Sequence, residues 1–152
     1  MDKIIIFFSS VFYLGYIKIA PGTIGSLAGL LFWACFIPDR VLIQLIALAA
    51  VFFISILFSS SAENIYRTKD DQRIVIDEFA GMWFSLVLLP KRFLFFLLGF
   101  LLFRLFDIKK PWIVNSVQKL KGGLGVTADD VIAGIFTNFL LQIVNLLRIL
   151  CL

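Results

Sequence analysis

Six apolar runs separated by short polar islands set the limits on how this chain can fold: Ile4–Ile17, Ile24–Ile37, Val41–Ser59, Phe79–Leu89, Phe93–Phe106 and Val131–Leu147. A segment surrounded by hydrocarbon has no water for its backbone N–H and C=O groups, so it must satisfy them internally, as a helix does. Composition agrees. Of the 152 residues, 61% are hydrophobic and 16% charged, against roughly 25% charged in soluble domains, and the mean hydropathy is +1.03. Too few polar residues remain to cover a water-facing surface. The expected fold is all-α, a polytopic membrane helical bundle forming one membrane-embedded domain over residues 1–152.

Only Val41–Ser59 and Val131–Leu147 approach the ~20 residues that cross a hydrocarbon core. Ile74–Leu89 becomes long enough if Asp77 and Glu78 share its helix, and Phe93–Lys109 if Arg104 and Asp107 ride on its last turns. Spans are then expected near 24–38, 41–59, 75–89, 93–108 and 130–148. The first run reads as an interfacial or re-entrant helix, and Ile113–Lys121 as a short cytoplasmic helix. The N-terminus is expected to be retained, because Lys3 is balanced by Asp2 and no small-x-small cleavage site precedes Pro21.

Ten Lys and Arg residues fall on one side of these spans and four (Arg40, Lys91, Arg92, Arg148) on the other. The positive-inside rule makes the first side cytoplasmic. Nine of the ten acids share that side, Asp39 being the exception. The expected location is the inner cell membrane, multi-pass, with the polar islands on the cytoplasmic face. A net charge of +4 suits anionic headgroups and carries no nucleic-acid signature.

Five carboxylates stand at the edges of the apolar runs: Asp77, Glu78, Asp107, Asp129 and Asp130. A charge near the middle of a bilayer costs roughly 2.5–3.5 kcal/mol on insertion scales, so acids kept beside such runs imply a use. The chain has no histidine. Carboxylates without imidazole suit a hard metal ion, and so phosphate chemistry at a membrane surface. Cys35 and Cys151 are too isolated for a disulfide framework or a metal site.

Each acid also has a plain structural reading. Asp77 and Glu78 diverge by about 100° on a helix, so each would contact a different ligand, and Gly81 removes bulk from the face of Asp77. The plain alternative, a solvated helix start whose acids answer the macrodipole, fits less well inside apolar sequence. Arg104, Asp107 and Lys110 recur every three residues on one helix face, a mixture that serves both metal and phosphate. Lys109 reads as a snorkelling helix end. Thr127 is placed to cap the last helix, with Asp130 completing a capping box; capping explains one of Asp129 and Asp130, not both.

Pro21-Gly22-Thr23 reads as a turn with Thr23 as N-cap and a helix from Ile24. Thr23 and Ser26 put hydroxyls at an anion-favouring helix start, although a cap plus a helix contact at Gly25 and Gly29 explains the same residues. Glu63, in the polar stretch Ser59–Asn64, is a further candidate metal ligand. Asp70 and Asp71 read as solvated loop acids.

Four blocks carry a resemblance. Ala-Pro-Gly-Thr-Ile-Gly-Ser at 20–26, Ile-Asp-Glu-Phe-Ala-Gly-Met-Trp at 76–83, Phe-Arg-Leu-Phe-Asp-Ile-Lys-Lys-Pro-Trp at 103–112 and Gly-Gly-Leu-Gly-Val-Thr-Ala-Asp-Asp-Val-Ile-Ala-Gly at 122–134 resemble the phosphatidylglycerophosphatase A family, in that family's order. The resemblance implies Mg²⁺-dependent removal of the terminal phosphate of phosphatidylglycerophosphate, giving phosphatidylglycerol. Two positions depart: Ile113-Val114, where the family often has a second proline, and Thr127, where it usually has an apolar residue. Neither touches a carboxylate.

On this reading Asp77, Glu78, Asp107, Asp129 and Asp130 are the catalytic and metal-binding candidates, with Glu63 as a further ligand. Their charge exceeds what one Mg²⁺ needs, which leaves room for two. Thr23, Ser26, Arg104 and Lys110 would face the substrate phosphate. A CDP-alcohol phosphotransferase would require an Asp-Gly-x2-Ala-Arg motif that is absent. The alternative reading is a small membrane ion transporter using one-sided carboxylates.

Overall fold

The computed structural model describes residues 2–109 and 122–151, and within them every regular element is helical. The order is α1 (Asp2–Ser9), a 3-10 turn at Leu14–Tyr16, α2 (Pro21–Phe36), α3 (Val41–Tyr66), α4 (Ile76–Leu86), α5 (Phe93–Lys109) and α6 (Gly123–Leu150). The helix expected near 113–121 lies outside the described residues.

Among the described residues, two helices are long and apolar enough to cross a bilayer. α3 has 26 residues and α6 has 28, so at 1.5 Å per residue they measure about 39 and 42 Å against a ~30 Å hydrocarbon core. Leu42, Phe53 and Leu57 on α3 and Phe139 and Leu150 on α6 are exposed, as lipid-facing side chains are. α1, at eight residues, is too short to cross and packs on α3. At the last residue of α1, Ser9 O accepts the Val75 N–H at 3.0 Å, which ties the N-terminus to the entrance of α4.

α4 is the axis of the bundle. Eight of its eleven residues are buried, and α2, α3, α5 and α6 all pack against it. Lipid tails are as apolar as leucine, so helices in a membrane associate through close packing at small residues and through hydrogen bonds. Both occur here. A Cβ on Gly134 would lie 2.3 Å from Gly81 O, and one on Gly81 would lie 2.7 Å from Asp130 O, so α4 and α6 touch backbone to backbone. On the other side, Gly25 and Gly29 make the expected helix contact with α4, and Trp83 Nε1 donates to Gly29 O at 3.0 Å.

Several boundaries differ from the sequence reading, each for a local reason. α2 starts at Pro21 rather than Ile24, with proline in the first turn where its missing N–H costs nothing. Thr23 is therefore inside the helix and not its cap. α3 runs on through Ser59–Asn64 to Tyr66. α6 begins at Gly123, seven residues before the expected 130, and the glycine segment forms its first turn. There Gly123 N–H donates to Ser60 Oγ at 2.8 Å, in a gap too small for a side chain. Thr127 is buried in α6 and shares a hydrogen bond of 2.8 Å with Ser55 of α3, so it caps nothing.

α4 itself stops at Leu86, short of the expected 89. Eleven residues make about 16 Å, roughly half a hydrocarbon core. Its end is satisfied by side chains of the two long helices. Asn138 Nδ2 donates to Ser85 O at 3.1 Å and Val87 O at 2.8 Å, Gln142 reaches Leu88 O at 3.3 Å, and Gln44 Oε1 accepts the Leu88 N–H at 2.9 Å. Lys91 Nζ reaches the last carbonyls of α2 and the one just beyond, those of Trp33, Ala34 and Ile37, as a cation at a helix C-terminus should.

Gly134→Ala should cost about 1–3 kcal/mol through overpacking of the α4–α6 contact. The loss should appear as a lower unfolding temperature in detergent. An unchanged midpoint would mean that the crossing is looser than these distances require.

Candidate active site

The acids meet where three helices come together. Asp77 and Glu78 occupy the first turn of α4, Asp129 and Asp130 lie two turns into α6, and Arg104 and Asp107 stand on the last turns of α5. Asp77, Glu78 and Asp130 each offer one oxygen, all within 4.8 Å of one another. Asp107, on the facing turn of α5, is ion-paired to Arg104. Asp129 is buried beside them, its Oδ1 accepting the Asp130 N–H at 3.1 Å. Asp77 Oδ1 takes the Glu78 N–H in the same way, also at 3.1 Å.

Adjacent acids on a helix diverge, so each pair splits its labour. Its first acid bonds to the helix's own backbone while both remain at the cluster. Among the described residues, the guanidinium of Arg104 is ion-paired to this cluster through Asp107. Charges crowded together away from water are costly unless a counter-charge joins them. Glu78 Oε2 and Arg104 Nε are buried without a hydrogen-bond partner. Both residues line a polar cavity of about 520 Å³. An all-oxygen donor set with an unused carboxylate oxygen fits a hard divalent cation.

α2 supplies the wall. A Cβ on Gly22 would stand 2.3 Å from Glu78 Oε1 and 3.2 Å from Arg104 Nη1, so the glycine is what lets the Glu78 carboxylate fit. Ser26, fully buried, donates to Gly22 O at 2.7 Å and accepts from Arg104 Nη1 at 3.4 Å. Its hydroxyl thus holds Arg104 in place.

The structure brings Asp77, Glu78, Asp107, Asp129, Asp130 and Arg104 together, as the sequence reading expected. Thr23 lies on the first turn of α2. Glu63 is outside the group of three, its Oε1 accepting the Asp70 N–H at 2.9 Å. Lys110 lies outside the described residues. The cavity also takes in residues the sequence reading did not assign to a site: Lys18, Gly22, Asp70 and Gln72. Their only sequence signal was position, Lys18 and Gly22 beside the Pro-Gly-Thr turn and Asp70 and Gln72 just upstream of Asp77. On either side of Gln72 in the chain, hydrogen bonds from Arg73 hold the Asp71 carboxyl below the usual carboxylate range. This pair is formed at neutral pH and is lost as acidification protonates Asp71.

Residues 7–145 match the family model described as PgpA: Phosphatidylglycerophosphatase A. A Phosphatidylglycerophosphatase A from Escherichia coli is 34% identical over 135 residues, covering 86% of this chain and 77% of the relative. One from Haemophilus influenzae is 36% identical over 125 residues, covering 80% of this chain and 77% of its own. A Bacteroides thetaiotaomicron protein with the provisional name phosphatidylinositol-3-phosphatase is 33% identical over 137 residues, with 85% and 86% covered. No solved structure matches. These relatives make the chain a phosphatase, and it belongs to the phosphatidylglycerophosphatase A family. The transporter alternative finds no support among these relatives.

Gly22→Ala should displace the Glu78 carboxylate and lower phosphatase activity on the order of 10²-fold, the scale expected for a misplaced catalytic group. Helical content and unfolding temperature should stay close to wild type. Full activity in this variant would show that the position of Glu78 is not critical.

Proposed function

We propose that this protein is a Mg²⁺-dependent phosphatase that hydrolyses the terminal phosphate monoester of phosphatidylglycerophosphate, giving phosphatidylglycerol and inorganic phosphate. The observation that carries the reading is the convergence of Asp77, Glu78 and Asp130 oxygens within 4.8 Å in a chain of this family. Those three residues would hold the ion, with Asp107 and Asp129 beside them. When bound, Mg²⁺ supplies Lewis-acid stabilisation of the phosphoryl oxygens and a more acidic water.

The chain's own groups account for the rest. Arg104 is fixed by Asp107 and Ser26, which leaves its remaining N–H donors for phosphate oxygens. The cavity beside it, with Lys18 on its wall, admits a charged headgroup. The apolar exterior keeps the acyl chains in lipid. The Lys and Arg bias supports a single multi-pass unit in the inner membrane with this site on the cytoplasmic face. The name of the Bacteroides relative favours a second possibility for the substrate, a different lipid phosphate monoester cleaved by the same groups.

Purified protein in micelles should release phosphate from phosphatidylglycerophosphate, lose that activity with a chelator and regain it with Mg²⁺. Asp77→Asn and Asp130→Asn should each lower turnover on the order of 10²–10³-fold, as for loss of a main electrostatic stabiliser. Undiminished activity in excess chelator would sink the metal assignment. Ion flux in liposomes without phosphate release would sink the enzymatic one.

A further inference from the structure

Two loop acids that look alike in sequence, Asp70 and Asp71, have different surroundings. Asp71 is taken up by Arg73, whose Nε and Nη2 donate to its two oxygens at 2.7 and 2.8 Å. The guanidinium of Arg73 also stacks over the Tyr66 ring, 3.8 Å from its centroid. Asp70 instead lines the polar cavity that holds Glu78 and Arg104, and its charge reaches Asp77. Glu78 lines the same cavity, and its Oε2 is buried and without a hydrogen-bond partner.

Asp70 is held in an unusual pose. Its φ of 55° is left-handed, a conformation that Asp and Asn tolerate better than other side chains. Glu63 Oε1 accepts its N–H at 2.9 Å and so pins the turn to the end of α3. An acid at that point opposes the helix dipole, which makes Glu63 an unfavourable choice for α3 taken alone. The bond to Asp70 supplies a reason for it.

We propose that Asp70 is a further carboxylate of the metal site, serving the ion from outside the group of three, and that Glu63 is the positioning residue that fixes it. The inference rests on the Mg²⁺ reading above. Mg²⁺ retains several of its waters when bound, and carboxylates beyond the direct ligands orient such shells.

The test is calorimetric titration of Mg²⁺ into the metal-free, detergent-purified protein, alongside kcat and KM. Asp70→Asn, which suits the left-handed backbone, should weaken Mg²⁺ binding by about 10–100-fold while leaving KM for the lipid phosphate nearly unchanged. Glu63→Ala should weaken binding in the same direction. Glu63→Gln, which keeps an acceptor oxygen, should restore most of it. Wild-type Mg²⁺ affinity in Asp70→Asn overturns the assignment of Asp70, and a Glu63→Gln no better than Glu63→Ala overturns that of Glu63. If wild-type protein binds no Mg²⁺ at all, the metal reading fails, and this inference fails with it.

Discussion

The backbone contact between α4 and α6 is what the rest of the structure depends on. Gly81 follows Asp77 by four residues and Gly134 follows Asp130 by four, so each contact glycine lies one turn from an acid on the same helix face. Where the glycines let the helices touch, the acids one turn away are drawn together. Their mutual repulsion opposes that approach. Packing at Gly81 and Gly134, with Trp83 bonded to Gly29 on the other flank of α4, holds the helices against it. The site is thus built under electrostatic load, and a divalent cation would relieve the load where it is greatest.

Arg104 is the other half of that balance. It is ion-paired with an acid of the cluster, and its orientation is set by Asp107 on its own helix and Ser26 on α2. Gly22 provides the room in which Arg104 and Glu78 lie side by side. Three helices therefore contribute acids or their counter-ion, and a fourth, α2, contributes shape. That division explains why the chemistry-bearing blocks are scattered along the sequence from 20 to 134.

Much of this was legible in the sequence, because charged residues beside apolar runs are conspicuous. The helical class, the five acids, the role of Gly81 and the Gly25–Gly29 contact all follow from residue type and spacing. The misreadings share a cause: a polar side chain was given a local partner when its real one is distant. Thr127 was expected to cap its own helix, yet it bonds to Ser55, 72 residues away. The end of α4 could not be placed because its carbonyls are met by Asn138 and Gln142, more than 50 residues on. Spacing along one helix reveals partners three or four residues apart, and nothing in a single sequence marks the rest.

The short α4 carries a further consequence, for the order in which the chain can be completed. A segment of eleven helical residues headed by two acids is a poor candidate to enter a bilayer unaided. The carbonyls of Ser85, Val87 and Leu88 at its end are met by Asn138 and Gln142, and its glycine crossing partner is Gly134, all on α6, which follows it in the chain. Until that helix emerges, Asp77 and Glu78 lack Asp130, the third carboxylate of their group, and these carbonyls lack their amide donors. α6 therefore completes both the packing of α4 and the group of acids at its head. A chain cut before it would retain Asp77, Glu78, Asp107 and Arg104, but would have no means of closing them into a site.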